Sequence, residues 1–260
     1  MPNDRVRLHI NEAIADVRLD RPAKLNALDP AMFAALIETA AALAERRDVR
    51  AVVLSGSGRA FCAGLDLASL AGEAPAALQA RTHGIANSFQ QAVWGWRELP
   101  VPVIAAVHGV AFGGGLQIAL GADIRLVAPD ARLAVMEARW GLVPDMGGIA
   151  LMRGLVRDDV ARELTYTARE VSGTEAVTLG LATRVAGDPH AAAMDLAARI
   201  AAGSPRAVRG AKRLLRVAAD PGAAEVLLAE SREQEILLTG PDVPEILTAQ
   251  AENRAPRFAD

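Results

Sequence analysis

The sequence predicts an α/β fold of strand–strand–helix units followed by a C-terminal region of helices. Two apolar, β-branched runs, Ala51-Val52-Val53-Leu54 and Val103-Ile104-Ala105-Ala106-Val107, each lead into a glycine-bearing turn and read as buried strands. After the second turn and a short helix come two more strand-like runs, Ile124 to Val127 and Leu133 to Val135. That rhythm is not the one of a doubly wound nucleotide fold. Beyond about residue 146 the segments are rich in Ala, Leu, Arg and Glu, which are strong helix formers.

Val6, Leu8 and Ile10, then Ala15, Val17 and Leu19, alternate with polar residues and predict an opening hairpin. Asp29-Pro30 supplies an N-cap and a first-turn proline for an amphipathic helix reaching about Arg47. A strand over 51–55 leads into the first glycine turn. A polar, Ala-rich connection follows, where mobility is expected, and residues 73–98 read as a long helix ended by Pro100 and Pro102. The strand at 103–107, a short helix through Leu120, and the two strands already named come next. Helices are expected near 158–168, 174–180, 189–203, 205–218 and 222–239, interrupted only by a short strand at 182–186. No internal repeat calls for a solenoid.

At 260 residues and 27.2 kDa the chain buries one full core with a small appended region. Apolar residues make up 52%, which excludes a disordered chain, and no apolar run approaches a membrane span of roughly 20 residues. A net charge of −3 gives no global attraction to nucleic acid, so any anionic ligand must be held by local cations. The N-terminal residues show no hydrophobic targeting core, and the lone cysteine, Cys62, excludes an internal disulfide, so a cytoplasmic location is expected. Cys62, in an apolar turn with no histidine nearby in sequence, reads as a small buried hydrophobe. His108 has no His or Cys at ligand spacing, so no metal site is expected.

Chemistry concentrates in Phe61-Cys62-Ala63-Gly64-Leu65-Asp66-Leu67 and His108-Gly109-Val110-Ala111-Phe112-Gly113-Gly114-Gly115-Leu116-Gln117. Turns stripped of side chains leave bare backbone N–H groups able to converge on one oxygen, the arrangement of an oxyanion hole. Neither segment is a phosphate loop: Ser55 to Ala60 lacks the third glycine of a dinucleotide fingerprint, and Gly109 to Gln117 lacks a Gly-Lys-Ser/Thr ending. Three further segments accompany them in order: Arg21-Pro22-Ala23-Lys24-Leu25-Asn26-Ala27-Leu28, Trp140-Gly141-Leu142-Val143-Pro144, and the tail Glu252 to Phe258. Together the five segments resemble the signature of the crotonase (enoyl-CoA hydratase/isomerase) superfamily.

The resemblance implies a crotonase-like spiral of ββα units over residues 1–200, carrying an acyl-CoA site. It implies a helical oligomerisation region over 201–260 that makes trimers or dimers of trimers. The ligand is an acyl-CoA thioester, with coenzyme A as part of the substrate and no separate cofactor. The amides of Leu65 and Gly114 would bind the thioester oxygen. Lys24, Leu25, Ala27, Ala63, Asp66, Leu67 and Gln117 would bind the acyl-CoA, with Arg21, Lys24, Arg59, Arg254 or Arg257 facing the CoA phosphates. The family's hydratases use two glutamates; here Gln117 stands at the first position and Glu137 at the second. An amide holds water but cannot take its proton as a carboxylate does. Asp145, where hydratases usually carry glycine, pairs with Glu137 as in the superfamily's dienoyl-CoA isomerases, although a third carboxylate of those enzymes is missing at Gln117. Double-bond isomerisation by Glu137 and Asp145 is therefore the favoured expectation. The alternatives are hydration by Glu137 with Gln117 positioning water, and a CoA-thioester-binding protein with little turnover. Asp145 also reads as a helix N-cap, being placed after a proline and before a helical stretch.

Overall fold

The computed structural model describes residues 4–70, 78–219, 222–254 and 256. Strands β1 (Val6–Asn11) and β2 (Ile14–Leu19) form the expected antiparallel hairpin. Its two-residue turn, Glu12-Ala13, takes positive φ at both positions without a glycine. Helix α1 (Pro30–Ala44) starts as the sequence suggests, with the Asp29 side chain accepting from the Met32 amide at 2.8 Å. Next come β3 (Ala51–Gly56), α2 (Ser88–Glu98), β4 (Val103–Val107), β5 (Val110–Phe112), α3 (Gly114–Gly121), β6 (Ile124–Val127) and β7 (Arg132–Ala134). The chain continues through α4 (Gly148–Met152), α5 (Asp158–Thr167), β8 (Val171–Ser172), α6 (Gly173–Leu179), β9 (Arg184–Val185) and α7 (Pro189–Ala201). It then runs through α8 (Pro205–Ala219), α9 (Ala223–Leu238) and α10 (Asp242–Ala251).

Strands are dealt between two sheets, which is how a ββα unit winds. One sheet has the order β1-β2-β3-β4-β6-β9, parallel throughout except for β1, and the other has the order β5-β7-β8. Two successive units lend their first strand to the large sheet and their second to the small one, β4 with β5 and β6 with β7. Side-chain alternation separates two cores. Ala51, Val53, Ile104 and Ala106 pack against the alanines Ala193, Ala197 and Ala201 of α7. Val52, Leu54, Val103, Ala105 and Val107 face the main core with Phe61, Trp96 and Leu36.

Two expectations are corrected, and two elements were not foreseen. The helix foreseen over 73–98 begins only at Ser88, because Gly84 takes φ +61° and Asn87 forms a capping box with Gln90 that sets the start there. Residues 71–77, which hold the first part of that expected helix and the end of the connection before it where mobility is expected, lie outside the described residues. Strand β8 is an additional interruption of the helical half, a two-residue pairing with β7 too short to read as a pattern. Strand β5 and helix α10 were not foreseen: β5 hides within the glycine segment, and α10 lies in the tail beyond the last helix expected.

Candidate active site

Three sequence-distant segments are laced together by main-chain hydrogen bonds. Phe61 N donates to His108 O (2.9 Å), Cys62 N to Val110 O (3.0 Å) and Phe112 N to Cys62 O (3.1 Å), which joins the two glycine segments. Ala63 N donates to Leu25 O (3.0 Å), Leu28 N to Gly64 O (2.8 Å) and Asp66 N to Leu28 O (2.9 Å), which adds the segment around Lys24. Asn26, fully buried, binds the first turn through its side-chain amide, donating to the carbonyls of Ser57, Ala60 and Phe61. Glycine is required at the crossing. Gly64 has φ +88°, and a Cβ there would lie 2.6 Å from Phe112 O and 3.6 Å from Gly114 N; one on Gly115 would lie 2.2 Å from Cys62 O. Among the described residues the Leu65 amide has no acceptor, while its neighbours Ala63 and Asp66 do. Gly114 is the first residue of α3, where an N–H has no carbonyl of its own helix to reach.

Beside this crossing lies a polar cluster closed around one glutamine. Gln117 is 2% exposed; its Nε2 donates to Glu137 Oε1 at 2.6 Å, and its Oε1 accepts from the amides of Met146 and Gly148, both at 2.9 Å. With two amides on Oε1, the orientation of the side-chain amide is determined and Nε2 must face the carboxylate. Glu137 opens the 3-10 turn Glu137–Trp140 and is 8% exposed. Its Oε2 is buried with no hydrogen-bond partner among the described residues. Its Oε1 would stand 3.2 Å from a Cβ on Gly113, so it abuts the glycine loop.

Burial pushes the Glu137 carboxyl up to about 7, against the opposing hydrogen bond from Gln117. Asp145 is half-buried, and burial together with the charge of Glu137 pushes it up to about 7 as well. The charge of Glu137 thus bears on the Asp145 carboxyl, and both groups are raised toward neutrality. Asp145 is no helix cap: the N-cap of α4 is Gly147, without any side-chain cap bond.

Glu230, on α9, caps that turn instead and was missed in the sequence. It is 6% exposed and accepts from Gly147 N at 2.9 Å and Ile149 N at 3.1 Å. Burial foremost, and the charge of Asp145 in addition, push its carboxyl up to about 8. A signal existed: Leu227, Ser231 and Gln234 are buried on the same helical stripe, so Glu230 falls on the inward face.

The residues expected to meet CoA lie on two segments held side by side, Ala63 N donating to Leu25 O and Asp66 N to Leu28 O. Lys24 is exposed, Leu25, Ala63, Asp66 and Leu67 are half-buried, and Ala27 is buried. Leu25 takes φ +51°, which turns the chain between Lys24 and Ala27. Asp66 is paired with Arg21 at 2.8 Å, and Arg21 also reaches Asp29 at 3.4 Å, so this arginine is largely neutralised. Arg254 is bound to Glu245 at 2.6 Å; Arg257 lies outside the described residues. His108 Nε2 sits 2.9 Å from Gly58 O. Cys62 is fully buried, and burial pushes its thiol up to about 12, where no thiolate nucleophile exists at neutral pH. Trp94 and Trp96 are core residues, and Trp94 underlies Gly147. Trp140 is half-buried. Among the described residues no cluster of three His, Cys, Asp or Glu residues is spaced for a metal, and no helix is long and apolar enough to cross a membrane.

Chain and fold match one family. The family model described as enoyl-CoA hydratase/isomerase matches residues 9–260, so the chain belongs to the enoyl-CoA hydratase/isomerase family of enzymes, with the crotonase fold. It is 31% identical over 265 residues to a peroxisomal Delta(3,5)-Delta(2,4)-dienoyl-CoA isomerase of Arabidopsis thaliana, covering 98% of this chain and 95% of that protein. It is 34% identical over 263 residues to the mitochondrial enoyl-CoA hydratase domain-containing protein 2 of Homo sapiens, covering 95% and 86%. A crystal structure of an enoyl-CoA hydratase from Mycobacterium avium subsp. paratuberculosis superposes with a TM-score of 0.86 at 27% identity, over the whole of both chains.

Proposed function

We propose that this protein isomerises a dienoyl-CoA thioester, with Glu137 and Asp145 exchanging protons at the two ends of the conjugated system. The thioester oxygen sits between the amides of Leu65 and Gly114. One carboxylate takes a proton from the carbon next to the thioester, and the electron pair moves onto that oxygen as a dienolate. The partner carboxyl returns a proton to the far carbon of the chain, the double bonds shift toward the thioester, and no electrons are gained or lost. A buried donor pair of this kind contributes on the order of 3 kcal/mol per donor to the barrier. Lys24, Leu25, Ala27, Ala63, Asp66 and Leu67 contact the CoA moiety along their two paired segments, and Lys24 is the exposed cation there. No separate cofactor takes part.

The observation that carries this reading is the cluster of buried carboxyls around Gln117. Proton exchange near neutral pH needs groups that titrate there, and burial lifts Glu137 and Asp145 to about 7. The bonding of Gln117 disfavours its use as a water holder: both lone pairs of its Oε1 are engaged by Met146 and Gly148, and Glu137 takes one hydrogen of its Nε2. Assembly into trimers, or dimers of trimers, through the region 201–260 belongs to the same reading. Its support is the apolar side chains left in water there, Leu214 (73% exposed) and Leu215 (70%) on α8 and Ile236 on α9. Substrate trials on purified protein test the reaction. Isomerisation shifts the absorbance of a dienoyl-CoA, hydration consumes a 2-enoyl-CoA, and a binding protein does neither.

A further inference from the structure

The turn that carries Asp145 is gripped from two sides. Four consecutive amides, Met146 to Ile149, donate to two side chains in strict alternation: Met146 and Gly148 to Gln117, Gly147 and Ile149 to Glu230. Gln117 comes from α3, directly behind the glycine loop, and Glu230 comes from α9. Behind the turn, Gly147 at φ +91° leaves room for Trp94 and Leu227, which a Cβ would meet at 3.5 and 3.4 Å. We propose that Glu230 is a positioning residue for Asp145, holding the Asp145 turn from the side opposite Gln117 and placing a second carboxyl behind it. What Asp145 then does with its proton rests on the isomerase reading; the grip itself does not.

A carboxylate is an expensive way to satisfy two amides. Helix starts are ordinarily capped by a short side chain next to them in sequence. Glu230 instead reaches across 83 residues and is buried almost completely. What it adds is reach: one side chain ties α9 to the turn through two hydrogen bonds. Among the described residues the ionisable groups coupled to Asp145 are Glu137, from the 3-10 turn, whose charge raises it, and Glu230, from α9, which the charge of Asp145 raises in turn; Gln117, from α3, is neutral. Near neutral pH the Glu230 carboxyl, pushed up to about 8, stays largely protonated, so what reaches Asp145 is its hold on the turn.

The test follows Asp145 directly. In protein carrying carboxyl-13C aspartate, the resonance absent from Asp145→Asn is that of Asp145, and its titration midpoint is measured in the wild type and in Glu230→Gln. Loosening the turn lets water reach Asp145 and weakens the effect of burial, so the midpoint should fall by about one pH unit or more. Turnover of a dienoyl-CoA should fall about tenfold in kcat with KM within about twofold, and Glu230→Gln should add little to Asp145→Asn. A midpoint that stays in place in the folded variant overturns the proposal, even if thermal stability drops. A midpoint that falls in a protein without isomerase turnover supports the grip and removes the isomerase reading alone. If Glu230→Gln does not fold, Glu230→Asp, which keeps the charge but shortens the reach, carries the same midpoint test.

Discussion

Asp145→Asn separates catalysis from folding, because the two should move in opposite directions. The substitution keeps shape and volume but removes a group that titrates near 7 in place of 3.8. A carboxyl raised in the folded state binds its proton more tightly there than in the unfolded chain. Its contribution to stability is therefore complete below about pH 4 and is lost as pH rises through 7. A shift of about three units corresponds to at most about 4 kcal/mol; half-burial and sharing of charge with Glu137 bring the expected effect to about 2 kcal/mol. Asparagine has no such penalty. In urea unfolding, the variant should gain on the wild type between pH 4 and 7 and keep that margin at pH 8. Dienoyl-CoA turnover at pH 7, followed by absorbance, should fall about 100-fold or more, as for a lost general acid–base group. Retained turnover together with lower stability at pH 8 would make Asp145 a structural residue and refute the reasoning.

Other outcomes follow from the same geometry. Turnover should peak near pH 7 and fall on both sides, since Glu137 and Asp145 are both raised to about 7, and Glu137→Gln should lower kcat by about 100-fold. Gln117→Leu strands the buried amides of Met146 and Gly148, so chemical denaturation should report a loss of about 2–5 kcal/mol. Gly64→Ala forces a Cβ to 2.6 Å from Phe112 O at a left-handed position, which should lower kcat by roughly 100-fold through the displaced Leu65 amide. Light scattering at micromolar concentration should report three or six chain masses; a monomer removes the assembly proposal and leaves the chemistry standing.

The parts of the fold legible in the sequence are those written in short-range pattern. The hairpin, the Asp29-Pro30 helix start and strand β4 appear where alternation, capping and β-branched runs place them. The helix expected over 73–98 fails because its composition is helical while its start is decided by the reciprocal bonds of Asn87 and Gln90. At the site, glycines 64, 113 and 114 and the carboxylates Glu137 and Asp145 stand out in the chain itself. The partner choices around them do not. That Gln117 binds two amides with one end and Glu137 with the other depends on α3 meeting a turn some 30 residues away, 29 and 31 positions on. That Glu230 rather than Asp145 caps α4 depends on a contact across 83 residues. Arg21, read as a phosphate cation, is similarly claimed by Asp29 and Asp66 only once the chain is folded.

The central claim is that the carboxyl pair moves a proton along the acyl chain rather than adding water to it. Mixing the purified enzyme with a 3,5-dienoyl-CoA and recording the absorbance spectrum tests it most directly. The account predicts growth of the longer-wavelength band of a 2,4-dienoyl-CoA, in which the double bonds are conjugated with the thioester, and its loss in both Glu137→Gln and Asp145→Asn. An unchanged spectrum with the dienoyl thioester, together with disappearance of the enoyl band when a 2-enoyl-CoA is supplied, would contradict it and make the enzyme a hydratase.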